Sequence, residues 1–482
     1  MISKKFIQSS FIYSIVGALP LASSLVLLPF YLNLLSIKDV GILALYLSFT
    51  YLIQIIVNFA LDTSIGVSYF DYRDDNKKLK EYIGTVVSLL LIIGLIITIL
   101  FLITGNGLFN LIFRQDSLVF FPYGLMSIVT AIFNSFFKTY TNLLINRQEP
   151  IRFFWLNILN FVLTIAISLG GLYLYPYSLI GPMWGRLLSG IGIFIVAFYY
   201  FFREYGICFK TIFLKGIYLF CFPMLIYYIL TWVLSYIDRF IINDFLSLRD
   251  VAIFDFAVKC TLLIEYLQMG LTSSITPKIF ALWKKNDIRE STPEVNRYYN
   301  GYTALNILGL PVFIIFVPLI VPYFVTNKDY FEGFYFLNVL CLGFIFRGLY
   351  TMFLAPVYFF KKTKVLPKVF LFSAAFQIII TIVFIKYFGL YGVVWANFIS
   401  KPVQTFFLFL ESRKIFEFKF NFTKQIFLPV IYILLIVVSE IFMIERYRIL
   451  IEIAQLFIVF SLVIWTYQKE LVLVINQVLK RK

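Results

Sequence analysis

Five basic side chains lie inside stretches of the chain that are otherwise apolar. If those stretches cross a bilayer, each charge costs at least ~2.5–3.5 kcal/mol, so such residues usually form an ion pair or carry a function. Asp255 lies one helical turn from Lys259, which leaves two alternatives for that lysine, a local ion pair or a binding role. Arg347 and Lys401 have no acidic residue within a turn and are the strongest candidates for binding an anion. The five basic residues are Lys138, Arg186, Lys259, Arg347 and Lys401.

Embedded acidic side chains are fewer, and they are Asp62, Asp255 and Glu265. A site with more cations than anions suits an anionic substrate. Because the chain has no histidine, the usual proton carrier near neutral pH is missing. The three carboxylates are therefore the candidate sites for a coupled proton or sodium ion.

Uncharged polar residues also recur at helical spacing within the apolar stretches. Thr50, Gln54, Asn58 and Asp62 are each four residues apart, so a helix would place them on one face. Two alternatives remain, hydrogen bonds that join helices at ~0.6 kcal/mol each and a hydrated cavity. The length of the stripe favours the cavity. Similar stripes are Ser127/Thr130/Asn134/Lys138, Asn157/Asn160/Thr164/Ser168, Tyr227/Thr231/Ser235/Asp238 and Ser373/Gln377/Thr381.

The predicted substrate-binding set combines the embedded cations with the amides of the first two stripes. Amides and hydroxyls can bond sugar hydroxyls, and cations can bind phosphate or acidic sugars. The set is Arg347, Lys401, Arg186, Lys259, Lys138, Asn134, Asn58 and Gln54.

The elements that would carry these residues are transmembrane helices. Of the 482 residues, 61% are apolar and only 14% are charged, and the mean hydropathy is +0.91. Apolar runs near the ~20 residues needed to cross a hydrocarbon core recur along the chain. About fourteen spans are predicted, at 6–32, 40–62, 83–103, 118–145, 153–174, 179–202, 214–240, 251–277, 299–325, 334–358, 366–386, 390–410, 425–443 and 448–467.

The loops between these spans carry basic residues on alternating sides. With a cytoplasmic N-terminus, the inside segments hold 28 of the 41 Lys and Arg residues and the outside loops hold 8. Cytoplasmic loops are the basic ones in membrane proteins. We therefore predict that both termini are cytoplasmic. The net charge of +16 is then an orientation signal, and nucleic acid is not an expected partner.

A short internal repeat suggests two halves. Residues 181–189 and 392–400 share Gly, Trp and Ser at a constant offset of 211, and each copy closes a set of six predicted helices. The sequence predicts an all-α integral membrane protein with an N-terminal lobe (1–205), a C-terminal lobe (206–412), and a helix pair with a cytoplasmic tail (413–482). A substrate cavity, cationic here, lies between the repeats in such transporters.

Residue patterns of common enzymes are missing from the sequence. There is no P-loop, no Ser-His-Asp or metal-binding cluster, and the four cysteines form no Cys-x-x-Cys pair. These features favour a transporter over an enzyme and predict neither a metal nor a cofactor.

The run Tyr236 to Ile242, followed by Leu246, residues 251–254 and Ala257, resembles the helix 7–8 signature of Wzx-type polysaccharide flippases. Their pattern is Asp-Arg, a short loop, then Val-Gly-x-Tyr-x-x-Ala. Here Ala252 and Phe254 stand where glycine and tyrosine are usual. The chain is thereby identified as similar to members of the multidrug/oligosaccharidyl-lipid/polysaccharide (MOP) exporter superfamily.

This resemblance implies a flippase of the bacterial inner membrane. Such proteins move an undecaprenyl-diphosphate-linked oligosaccharide, for example an O-antigen repeat unit of lipopolysaccharide, from the cytoplasmic to the periplasmic leaflet by alternating access. Membrane lipids and the polysaccharide polymerase machinery are the further expected partners. Two alternatives stay open, a multidrug exporter of the same superfamily and a membrane-embedded glycan polymerase or ligase.

Overall fold

The protein is described by a computed structural model over residues 16–17, 19–113, 118–285, 288–441 and 448–479. These residues are helical with short connections, and no strand occurs among them, which confirms the all-α prediction. The α-helices are α1 (Leu19–Leu34), α2 (Ile37–Asn58), α3 (Leu61–Tyr72), α4 (Asn76–Ile112), α5 (Leu125–Asn146), α6 (Pro150–Leu174), α7 (Ile180–Tyr205), α8 (Thr211–Phe245), α9 (Leu248–Lys285), α10 (Ile288–Ile320), α11 (Leu337–Phe359), α12 (Leu366–Ile415), α13 (Leu428–Ile441) and α14 (Arg448–Leu479).

Nine helical stretches in the described part of the chain are long and apolar enough to cross a membrane. They comprise α2 joined to α3, each helix from α4 to α8, and α10, α11 and α12. A multi-pass membrane protein is therefore confirmed, whereas the count of fourteen spans stays a prediction. Helix α9, which contains the predicted span 251–277, is not among the nine and carries Asp255, Lys259 and Glu265.

The predicted helix 40–62 is wrong at its C-terminal end. Helix α2 stops at Asn58 because Phe59 and Ala60 adopt left-handed backbone conformations, with φ of 48° and 58°. These angles break the i→i+4 ladder, and α3 then begins at Leu61. Asp62 consequently lies in the first turn of α3 and does not continue the stripe of α2.

Several other predicted spans lie within longer helices, and the difference reaches eleven residues at the start of α10, which begins at Ile288 and not at position 299. Positions 6–15 and 18 of the first predicted span and 442–443 of the thirteenth lie outside the described residues. The predicted helices 366–386 and 390–410 correspond to the two arms of α12, which are separated at Gly389 by a φ of 56°. Glycine accommodates this angle without a Cβ penalty.

The chain divides into two compact units, the first up to Ala252 and the second from Ile253 onward. Helix α8 belongs to the first unit, where the Trp232 indole Nε1 donates to the Ser48 carbonyl at 2.8 Å. The core of that unit is apolar and includes Ile83, Phe136 and Ile193, all nearly fully buried. The six-helix lobes that meet at residues 205 and 206 stay a prediction.

Both copies of the repeat place a glycine at a tight helix crossing within their own unit. In the first unit, a Cβ added to Gly171 would lie 2.6 Å from the Gly181 Cα. In the second unit, a Cβ on Gly392 would lie 2.2 Å from the Phe384 carbonyl oxygen. The same steric reason therefore explains both matching glycines, since each one lets two backbone segments come into close contact.

A pair of neighbouring glycines tests this close approach. We expect Gly171→Ala to lower the melting temperature in detergent, because overpacking a tight contact costs ~1–3 kcal/mol. Gly170→Ala is the matched control, since Gly170 is exposed and its added Cβ meets nothing within 4 Å. There alanine should raise stability slightly through its better helix propensity. Equal melting temperatures for the two variants would contradict the crossing.

Candidate functional site

A polar cavity of about 460 Å³ lies within the first unit. Its walls come from α1, α2, α3, α5, α6 and α7. Polar groups in such a setting need partners or water, because desolvating them costs several kcal/mol. The polar and charged lining residues are Ser23, Thr50, Tyr51, Gln54, Asp62, Thr130, Asn134, Lys138, Thr141, Asn142, Asn157, Asn160, Thr164, Arg186 and Ser189.

Arg186 on α7 is the lining cation without an acidic partner. No carboxylate in the described part of the chain lies within 4 Å of its guanidinium. Its Nε is buried and makes no hydrogen bond to a described residue, and neither terminal nitrogen bonds such a residue. A guanidinium presents donors in a planar fork that matches phosphate or carboxylate oxygens. Arg186 therefore brings a positive charge that no described carboxylate neutralises to the cavity wall.

Lys138 on α5 forms an ion pair with Asp62 at the start of α3, with 3.1 Å between Nζ and Oδ2. The Asp62 side chain is 5% exposed and that of Lys138 is 47% exposed. The Lys138 ammonium also lies 5.5 Å from the ring centroid of Tyr228, a cation–π distance. The pair is nearly neutral as a unit, so it contributes less net positive charge than the sequence suggested.

Two of the three predicted amides line the cavity and one does not. Gln54 and Asn134 are lining residues, and their side chains bond no described residue. Asn58 is instead buried, and its Nδ2 donates to the Thr139 Oγ1 at 3.1 Å. Asn58 thus joins α2 to α5, and its binding role stays a prediction. The four-residue spacing on α2 cannot distinguish a cavity-lining amide such as Gln54 from one that bonds a neighbouring helix. Asn58 belongs to the second kind because the end of α2 lies against α5.

Asn157, Asn160 and Thr164 on α6 belong to the cavity wall, although only their stripe was noted from the sequence and no site role was predicted. Thr164 Oγ1 donates to the Ser189 Oγ at 3.1 Å, which joins α6 to α7 beside Arg186. Their four-residue spacing was the sequence pattern that could have identified them as lining residues. Tyr31 on α1 belongs to no such pattern.

The embedded charges of the second unit are all engaged with protein partners. Lys259 pairs with Asp255 at 2.7 Å one turn away, so the local ion pair is what the structure contains. Lys401 Nζ donates to the Asn397 Oδ1 at 2.7 Å.

Arg347 also has an acidic partner, which corrects the sequence-based interpretation. Its Nη2 lies 2.7 Å from the Glu265 Oε1. The two residues are 82 positions apart on α11 and α9, so a search within one helical turn could not find the contact. The pairing removes the main argument for Arg347 as the strongest anion-binding candidate.

Among the residues that the structure describes, no group of three or more His, Cys, Asp or Glu side chains could hold a metal ion. The four cysteines are free. What the first unit offers is therefore a binding cavity with hydroxyl, amide and guanidinium donors.

Comparison with known proteins identifies the family and the fold. The model of the family described as "Polysaccharide biosynthesis protein" matches residues 6–283. No curated protein gives a significant match. Among solved structures, a lipid II flippase MurJ in an inward closed conformation superposes with a TM-score of 0.70 at 16% identity, covering 97% of this chain and 98% of that one.

Multidrug transporters of the MATE family are similar as well. An inward-facing structure from the MOP superfamily gives a TM-score of 0.68 at 17% identity over 83% of this chain and 94% of that one. An outward-facing one gives 0.59 at 17% identity over 85% and 95%. At these identities the likeness shows a common fold. The chain belongs to the polysaccharide biosynthesis protein family and has the fold of MOP-superfamily transporters.

Proposed function

We propose that the chain is a flippase for an undecaprenyl-diphosphate-linked oligosaccharide in the bacterial inner membrane. Its family indicates polysaccharide biosynthesis, and one protein with the same fold is named a lipid II flippase. The observation that carries the proposal is the polar cavity of the first unit with Arg186 in its wall. O-antigen units or similar surface-polysaccharide units are the proposed cargo.

The lining chemistry matches the two parts of such a substrate. Gln54, Asn134, Asn157 and Asn160 offer both donors and acceptors to sugar hydroxyls. The Arg186 guanidinium supplies charge and paired donors for a phosphoryl group. A cationic drug would instead need a carboxylate to neutralise its charge. Asp62 is the acidic residue among the described lining residues, and it is already paired with Lys138.

The remaining cations are secondary candidates for substrate contact. Lys259, Arg347 and Lys401 would have to leave Asp255, Glu265 and Asn397 to bind an anion. We propose that transport proceeds by alternating access, with both termini cytoplasmic and the substrate moving to the periplasmic leaflet. The polysaccharide polymerase machinery is the proposed partner on that side.

Direction needs an energy source, and the membrane potential is the simplest one. Each charge that crosses the full potential exchanges ~2.3 kcal/mol per 100 mV, so an inside-negative potential favours outward movement of a diphosphate. Coupling to a proton or sodium ion would use Asp62, Asp255 or Glu265. In each case the ion would compete with a protein cation that already neutralises the carboxylate.

Reconstitution in proteoliposomes tests the function. Purified protein should accelerate transbilayer movement of a fluorescent undecaprenyl-diphosphate oligosaccharide, measured by loss of accessibility to an added glycosidase or quencher. Imposing the membrane potential and each ion gradient separately identifies the energy source. Acceleration of a cationic drug but not of the lipid-linked sugar would support a multidrug exporter, and growth of the glycan chain would support a polymerase.

A further inference from the structure

We propose that Tyr31 and Ser168 are positioning residues that orient the Arg186 guanidinium toward a diphosphate group. The inference rests on the proposed function and adds two residues to its binding site. Neither residue lines the cavity. Tyr31 lies on α1 and Ser168 on α6, and the Tyr31 hydroxyl is near both Ser168 and Arg186 of α7.

The contacts behind Arg186 bring three buried polar atoms together. Tyr31 is 2% exposed and Ser168 is fully buried. The Tyr31 hydroxyl lies near the Ser168 hydroxyl and the Arg186 guanidinium. Yet the Tyr31 Oη, the Ser168 Oγ and the Arg186 Nε each lack a hydrogen-bond partner among the described residues. These neighbouring side chains therefore hold hydrogen-bonding capacity that the described residues do not use.

Gly185 makes this arrangement possible. A Cβ at that position would lie 2.2 Å from the Ser168 Oγ and 2.6 Å from its Cα. With no side chain at 185, the backbone of α6 at Ser168 approaches α7 at the residue next to Arg186. The site is thus built by helix packing around the guanidinium.

The free-energy cost of burying the Tyr31 and Ser168 hydroxyls without partners indicates that these residues serve a purpose other than folding. A buried hydroxyl without a partner is unfavourable, so phenylalanine at 31 or alanine at 168 would suit the unloaded protein at least as well. When a phosphoryl group draws the Nη nitrogens into the cavity, the small shift of the guanidinium can close hydrogen bonds from its Nε–H to the two hydroxyls. These bonds would fix the plane of the fork and favour two-oxygen recognition over a single contact.

The test measures binding in nanodiscs with two probes, undecaprenyl diphosphate and the uncharged undecaprenol. We expect Tyr31→Phe and Ser168→Ala each to weaken binding of the diphosphate about three- to tenfold, the range of one lost hydrogen bond. Binding of undecaprenol should be unchanged. The melting temperature should be unchanged or raised. In an Arg186→Lys background, Tyr31→Phe should have no further effect, because the Nε–H is then gone.

Tyr140→Phe is the matched control. Tyr140 is a fully buried tyrosine that interacts with Arg152, its hydroxyl also lacks a hydrogen-bond partner among the described residues, and it does not line the cavity. Removal of the Tyr140 hydroxyl should leave the affinity for both lipids unchanged.

Three results would overturn the inference. Wild-type affinity for the diphosphate in Tyr31→Phe would remove the positioning role while leaving the proposed function intact. Equal weakening for both lipids, with a lower melting temperature, would mean a packing role. If the wild-type protein binds undecaprenyl diphosphate no better than undecaprenol, the proposed function itself fails, and the inference fails with it.

Discussion

Replacing Arg186 with alanine is expected to slow flipping of the lipid-linked oligosaccharide at least tenfold. A charge-assisted hydrogen bond contributes ~1.5–3 kcal/mol, and each ~1.4 kcal/mol corresponds to a factor of ten. Arg186 has no carboxylate partner in the described structure, so its loss leaves no orphaned acid behind. Stability should therefore change little while transport falls. Arg186→Lys should retain part of the rate, because it keeps the charge but not the planar fork.

Arg203→Ala provides the control on the same helix. Arg203 lies exposed in the last turn of α7 and contacts the Tyr199 hydroxyl at 3.4 Å, outside the cavity. Both variants should insert and purify alike, and only Arg186→Ala should lose the initial rate in proteoliposomes. Full transport by Arg186→Ala would remove this residue from the mechanism and return attention to Arg347 and Lys401.

Removing Lys138 is expected to destabilise the protein more than removing the charge of its partner. Lys138→Met leaves the Asp62 carboxylate buried without its counter-ion. Breaking a fully buried pair in this way costs ~3–5 kcal/mol, and the half-exposed lysine reduces that figure here. Asp62→Asn leaves a lysine that can reach water, so its penalty is smaller. The double variant Lys138→Met/Asp62→Asn should recover much of the stability lost by Lys138→Met.

Melting curves in detergent measure these differences, and gradient-driven flipping measures the role in coupling. Lys78 and Asp75 are a comparison pair, since their 3.5 Å contact is exposed on both sides and should contribute at most ~1 kcal/mol. If Asp62 carries a coupled ion, Asp62→Asn should abolish stimulation by that gradient without abolishing potential-driven flipping. A gradient response that survives replacement of Asp62, Asp255 and Glu265 together would exclude all three as coupling sites.

Much of the cavity lining could be predicted locally. Arg186, Lys138, Asp62, Gln54 and Asn134 were all selected from the sequence, and all five line one cavity. The reason is that polar groups are costly in a membrane wherever they occur along a helix. Their identity and helical spacing therefore identify inward-facing positions without knowledge of the neighbours.

The partners of those residues depended on contacts between distant segments. Glu265 and Arg347 are 82 residues apart, and Asn58 and Thr139 are 81 apart. Sequence spacing reports which side chains share a helix face, but not which other helix that face meets. For that reason Arg347 looked unpaired, and Asn58 looked available to a ligand.

The sequence by itself determined a multi-pass helical membrane protein, because apolar length and embedded polarity are properties of each segment alone. Tertiary structure decided that Lys138, Lys259 and Arg347 pair with carboxylates, since neutralisation depends on a contact within about 4 Å. It also decided the surroundings of Arg186, because α6 packs closely on α7 at the neighbouring Gly185, where Ser168 lies. Tyr31 joins them from α1 with no periodic signal, since a single tyrosine in an apolar helix is ordinary until its neighbours are known.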